Sequence, residues 1–130
     1  MTLPATAPPV CRPAAASVHV SDVPRFHGIV PPLVTPLLSA DTLDVVGLER
    51  LVEHVVGGGV HGLFVLGTTG EGPSLSTAVQ KELVVRVVKL VAGRVPVLVG
   101  ISDASLAESV ALSSCAAESG ADAVVAAPPY

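Results

Sequence analysis

The feature that most constrains this chain is a rhythm. From Gly28 onward, a short apolar run, a turn and a longer stretch with helical spacing follow one another repeatedly. The apolar runs lie at residues 28–34, 62–66, 95–100 and 123–126, each short enough for a strand and flanked by Gly or Pro. Their starts fall roughly 30 residues apart, the length of one strand–helix unit. Between the first two runs, Leu48, Leu51, Val52, Val55 and Val56 recur at i, i+3, i+4, i+7 and i+8, which makes one apolar helical face. The spacing predicts a helix over about 44–56, stopped by Gly57-Gly58-Gly59. A second helix is expected over about 78–91, with Thr77 and Gln80 spaced as a capping box and Gly93 near its end. A third begins after Ser105, whose partner Glu108 makes another capping box, and ends at Gly120.

The order is therefore β-α-β-α-β-α-β, and right-handed crossovers make the strands parallel. A closing barrel and a doubly wound sheet both satisfy this pattern. The composition agrees with either. Half of the residues are apolar but only 2% are aromatic, so the core must be built from Val, Leu, Ala and Ile, which suit parallel strands covered by helices. Four strands are half of an eight-stranded barrel, which typically needs about 250 residues. With 130 residues ending at Pro128-Pro129-Tyr130, directly after the fourth run, the chain reads as an interrupted fold with open strand edges.

Other classes are disfavoured. The net charge is −4, and the seven basic residues form no stripe that could follow a phosphate backbone, so nucleic acid is not an expected partner. Residues 83–100 are rich in Val, but Arg86, Lys89, Arg94 and Pro96 interrupt them well short of the ~20 apolar residues of a membrane span. Residues 1–25 are rich in Pro and Ala, lack the layout of a secretory signal, and read as a mobile extension before a domain at 26–130. Cys11 and Cys115 lie in segments of different character and suggest no disulfide framework, which fits a reducing cytoplasm. His19, His27, His54 and His61 have no metal-ligand spacing, so no metal is expected.

In a barrel, chemistry sits at the carboxyl ends of the strands: Thr35, residues 67–72, Ile101 to Asp103, and residues 128–130. The richest of these is Gly67-Thr68-Thr69-Gly70-Glu71-Gly72. Its glycines let backbone approach a ligand closely, and its two hydroxyls with free N–H groups can cradle a carboxylate. The same residue types also make an ordinary tight turn. The segment has neither the Lys-Ser/Thr ending of a P-loop nor the G-x-G-x-x-G spacing of a dinucleotide site.

The run Gly62-Leu63-Phe64-Val65-Leu66-Gly67-Thr68-Thr69-Gly70-Glu71 resembles the signature of the dihydrodipicolinate synthase and N-acetylneuraminate lyase family. Gly28-Ile29-Val30-Pro31-Pro32-Leu33-Val34-Thr35-Pro36 is similar to the family's first strand, Val95-Pro96-Val97-Leu98-Val99-Gly100 to its third, and Pro128-Pro129-Tyr130 to the start of its Pro-Tyr-Tyr corner. The resemblance covers about 26–130. It implies a (β/α)8 TIM barrel, of which this chain holds the first three βα units and the fourth strand. It also implies a pyruvate-type 2-oxo acid bound as a Schiff base to a lysine on the sixth strand, no cofactor, and homo-oligomeric complete relatives. On that match Thr69, with Gly67, would hold the substrate carboxylate, and Thr68 would sit in a proton-relaying hydroxyl chain, a role suited to a group that both donates and accepts. Tyr130 matches the first tyrosine of the corner, not the relay tyrosine, and is expected to pack or line the rim.

Schiff-base formation needs a neutral amine, hence a lysine in an environment that lowers its pKa. The chain has two, Lys81 and Lys89, both on the second helix and away from its apolar row Val79, Leu83, Val87 and Leu90. They read as surface residues, so these 130 residues are expected to be inactive alone. Glu71 and Asp103 stay unassigned between functional and turn-forming roles. The competing expectation is a non-catalytic half-barrel that binds a small carboxylate or pairs with another chain.

Overall fold

A computed structural model describes residues 26–128. Residues 1–25 and Tyr130 lie outside this range, and with them the expectations placed on the extension and on the tyrosine. The order is β1 (Leu37–Ser39), β2 (Thr42–Leu43), α1 (Val45–Gly57), β3 (Leu63–Val65), a 3-10 turn (Gly72–Ser74), α2 (Thr77–Val91), β4 (Val97–Gly100), α3 (Leu106–Ser119) and β5 (Ala123–Val125). The small antiparallel hairpin β1–β2 has no counterpart in the expected pattern. The other elements follow it closely.

The main sheet runs β3-β4-β5, all parallel, with Leu63 opposite Val97, Val65 opposite Val99, and Val99 opposite Val124. Residues 29–33 lie along the free side of β3: Phe64 N–H donates to Pro31, Leu33 N–H to Phe64, and His61 N–H to Ile29. They form one parallel bridge, Pro32 to Phe64, instead of the expected strand over 28–34. Pro31 explains the difference, because it has no N–H to carry the ladder back toward Gly62. Counting this segment, four parallel strands stand in sequence order with helices between them. A doubly wound sheet would reverse its order at a switch point; this one does not.

Alternate residues divide the sheet. Leu33, Leu63, Val65, Val97 and Val99 point toward the helices and are buried to 4% exposure or less. There they join Leu48 and Val52 of α1, Leu83, Val84 and Val87 of α2, and Leu112 and Ala116 of α3 in one core. Phe64, Leu98, Ala123 and Val125 point the other way and are only half-buried.

Local chemistry sets the helix ends. The Asp44 carboxylate caps α1 by accepting from Gly47 N–H. Ser76, not Thr77, caps α2, accepting from Val79 N–H, and its hydroxyl also bonds Asp41. Gln80 is therefore not the far half of a capping box. It is buried, and its amide donates to the Gly72 and Leu75 carbonyls, tying α2 to the turn before it. Ser105 caps α3 through Glu108 N–H as expected, but Ser105's own N–H goes to Asp103 Oδ1, so Asp103 supplies the reciprocal half. Asp122 closes the sheet's lower end: its carboxylate accepts from Val97 N–H while its N–H donates to the Val97 carbonyl. Cys115 lies on the buried side of α3, and the expectation that Cys11 and Cys115 form no disulfide framework lies outside the described residues, because Cys11 does.

Candidate active site

The carboxyl ends of the four strands place Thr35, residues 66–72, residues 100–103 and residues 126–128 along one rim. The turn at 67–72 is held from several sides. Thr35 Oγ1 donates to the Gly70 carbonyl at 2.7 Å, tying the first strand's end to the turn. Gly70 and Gly72 N–H both reach the Gly67 carbonyl, and Glu71 N–H reaches the Thr68 carbonyl. This narrows the expected cradle: the N–H groups of residues 70–72 are spent inside the turn and are not free for an anion.

The turn begins with strain. Leu66 is buried yet adopts a left-handed conformation, φ 58°, which a leucine occupies only at a cost of about 1–2 kcal/mol. Its carbonyl is gripped between two glycines. A Cβ on Gly72 or on Gly100 would collide with the Leu66 carbonyl oxygen, so both positions require glycine for contact, not for φ. A Cβ on Gly67 would meet the Phe64 ring at 2.6 Å. The result is a turn with a close-packed base and an exposed tip. The tip is Thr68 and Thr69, both exposed, and among the described residues Thr69 makes no side-chain hydrogen bond. An oriented hydroxyl left facing outward on a rigid base is suited to meeting a small acceptor such as a carboxylate.

The other residues singled out sort differently. Glu71 is exposed, left-handed at φ 55°, and leads into the 3-10 turn. Asp103 is taken up by the α3 cap. Ser102 Oγ accepts from Ala127 N–H at 2.8 Å, bracing the ends of β4 and β5. Lys81 and Lys89 sit on α2, outside the sheet, and neither is buried. His61 works at the opposite end: its Nδ1 accepts from Ile29 N–H at 3.1 Å, its ring contacts His27, and it packs on Gly28. Among the described residues no group of three or more His, Cys, Asp or Glu could hold a metal, and no helix is long and apolar enough to cross a membrane. A cleft of about 450 Å³ opens beside this rim, between α3 and the ends of β4 and β5, and it does not include the threonine turn.

Two parts of this arrangement were not foreseen: the Leu66 strain with its glycine clamp, and the anchoring by Thr35 and Gln80. Gly100 was legible only as a strand-end glycine, and nothing in its local sequence points 34 residues back to Leu66.

Consecutive parallel strands, outer helices and a hydroxyl-bearing turn at the carboxyl rim define part of a (β/α)8 barrel of the kind that carries its chemistry on βα loops. The chain belongs to the dihydrodipicolinate synthetase family, whose profile matches residues 25–130. It is 41% identical over 105 residues to the 4-hydroxy-tetrahydrodipicolinate synthase of Salinibacter ruber, a match covering 81% of this chain and 35% of that one. It is 40% identical to a probable 2-dehydro-3-deoxy-D-pentonate aldolase of Escherichia coli, covering 82% and 35%. Among solved structures it resembles the dihydrodipicolinate synthase of Bacteroides thetaiotaomicron, with TM-score 0.78 and 61% identity over 79% of this chain and 35% of that one. It also resembles the N-acetylneuraminate lyase of Mycoplasma synoviae, with TM-score 0.73 and 32% identity over 78% and 35%. The chain thus spans about a third of the length of the relatives it matches. The described residues form an open arc of the barrel, not a closed one.

Proposed function

We propose that this chain is the substrate-carboxylate half of a class I aldolase or lyase site acting on a pyruvate-type 2-oxo acid, in the cytoplasm. In this reading Thr69, with Gly67, holds the acid's carboxylate, and Thr68 passes protons through its hydroxyl. The observation that carries it is the uncommitted Thr69 hydroxyl on a clamped turn at the carboxyl rim. The covalent step needs an amine inside the barrel, and Lys81 and Lys89 stand on the outer helix layer. The 130 residues by themselves bind and do not turn over.

Two measurements test this. Borohydride reduction in the presence of pyruvate, followed by intact mass, should give no adduct on the 130-residue chain; an adduct on Lys81 or Lys89 would overturn the account of the lysines. Titration with pyruvate, followed by amide NMR, should shift Thr68 and Thr69 first, and Thr69→Val should abolish the shift. Unchanged Thr68 and Thr69 signals at saturating acid would reject the carboxylate role.

A further inference from the structure

The threonine turn has two corners, and they are held by different parts of the molecule. Gly67 and Gly70 are those corners, with the Gly70 N–H donating to the Gly67 carbonyl at 3.0 Å and Thr68 and Thr69 standing exposed between them. Both glycines are buried. The Gly67 corner is set by its own strand and turn: its carbonyl also accepts from Gly72 N–H, and the Phe64 ring packs where its Cβ would stand. The Gly70 corner is set from across the sheet. A Cβ there would lie 2.8 Å from the Leu33 carbonyl, and the Gly70 carbonyl accepts from the part-buried Thr35 Oγ1 at 2.7 Å, so the end of the first-strand segment closes on this corner from outside the turn. With its N–H and C=O both bonded, Gly70 has the peptide planes on either side of it fixed, although glycine is the residue with the greatest backbone freedom. Gln80 acts further along, on the Gly72 and Leu75 carbonyls, past the tip.

We propose that Thr35 is the positioning residue for Thr69. Its hydroxyl, 35 residues before Gly70, holds the second corner of the turn, and a two-residue tip fixed at both corners presents its hydroxyls in one direction. A tip fixed at Gly67 alone would swing. Valine at position 35 keeps the branched shape and removes the donor, which leaves the carbonyl of a buried residue without that bond; serine keeps the donor. Use of the Thr69 hydroxyl for a carboxylate rests on the pyruvate reading; its orientation by Thr35 does not.

Two readouts on the 130-residue chain separate these. Without ligand, amide exchange at Gly70, whose N–H closes the turn, should speed up about threefold to tenfold in Thr35→Val, the range spanned by one lost hydrogen bond, and return to the wild-type rate in Thr35→Ser. With pyruvate, the Kd read from the Thr68 and Thr69 amide shifts should rise about threefold to tenfold in Thr35→Val and match wild type in Thr35→Ser. Val91→Ala, a core truncation at the far end of α2, lowers stability without touching the turn and should move neither readout. Unchanged Gly70 exchange in Thr35→Val, no restoration by Thr35→Ser, the same changes from Val91→Ala, or an unchanged Kd in Thr35→Val beside a wild type that binds would each overturn the positioning role. A wild type that gives no pyruvate shift, with Gly70 exchange following the expected order, would overturn the carboxylate reading and leave Thr35 as the residue that orients the tip.

Discussion

The two faces of the same sheet differ in how completely their residues are used. Toward the helices, Leu63, Val65, Val97 and Val99 are shut away from water to within 2%. Toward the barrel interior, Phe64 and Leu98, one residue along the same strands, are only half-buried. Side-chain alternation makes this contrast, since each strand serves both faces. The outer layer is completed over β3 and β4 by the helices that follow them in sequence, while over β5, which no helix follows among the described residues, Val124 stays exposed. The inner layer needs the opposite side of the barrel, which no segment among residues 26–128 provides. Local folding and barrel closure are thus separate tasks in this chain, and the carboxyl rim of the strands is built by the first while the barrel interior depends on the second.

The largest test of that division is core truncation. Leu83→Ala or Leu63→Ala, on the covered side, should cost about 2–5 kcal/mol in urea unfolding. Leu98→Ala should cost less than half as much, because its environment is already partly solvent; equal losses would mean that the inner face is as well packed as the outer. The next test concerns the turn. Gly100→Ala or Gly72→Ala drives a methyl against the Leu66 carbonyl and should destabilise by about 1–3 kcal/mol. Gly57→Ala, in α1 with nothing near the added methyl, should stabilise by about 0.5–1 kcal/mol. A smaller effect is expected from the cap: Asp44→Ala should cost about 1 kcal/mol.

The smallest effect lies on the surface. The Arg94 guanidinium grips Glu53 with two bonds, 2.9 and 2.6 Å, while also reaching the Val91 and Leu90 carbonyls, and so joins α1 to the end of α2. Hydrogen bonding to Arg94, more than its charge at a distance, holds the Glu53 carboxyl below its ordinary range. A lowered folded-state pKa contributes stability above the unfolded pKa that is lost as pH falls through the folded one. Both groups are exposed, so the acid-side slope should be shallow and weaken with salt. Stability measured against pH for Glu53→Gln should lose that slope; an unchanged profile would remove the ion pair from the account.

Much of the covered face was legible in the sequence. The helical spacing of Leu48, Leu51, Val52, Val55 and Val56, the Gly57-Gly58-Gly59 stop and the Ser105 cap are local signals, readable because each acts within a turn or two. The misplacements share a cause. Ser76 and Thr77 both carry a hydroxyl, and which one caps α2 depends on where the preceding 3-10 turn releases the chain. Gln80 had the spacing of a capping-box partner, yet the fold brought the Gly72 and Leu75 carbonyls within reach of its amide. The turn at 67–72 was expected from the sequence to offer free N–H groups, and those of residues 70–72 are consumed internally.

The sequence by itself determined the strand–helix rhythm, the parallel arrangement, the position of the threonine turn and the absence of a lysine outside α2, because period, turn chemistry and residue identity need no tertiary partner. Tertiary structure decided the consecutive strand order, the clamping of Leu66 between Gly72 and Gly100, the anchoring of Gly70 by Thr35, and the difference between a covered and an open face. Those depend on residues far apart in sequence meeting across strands, where contact distance, not propensity, selects what can stand.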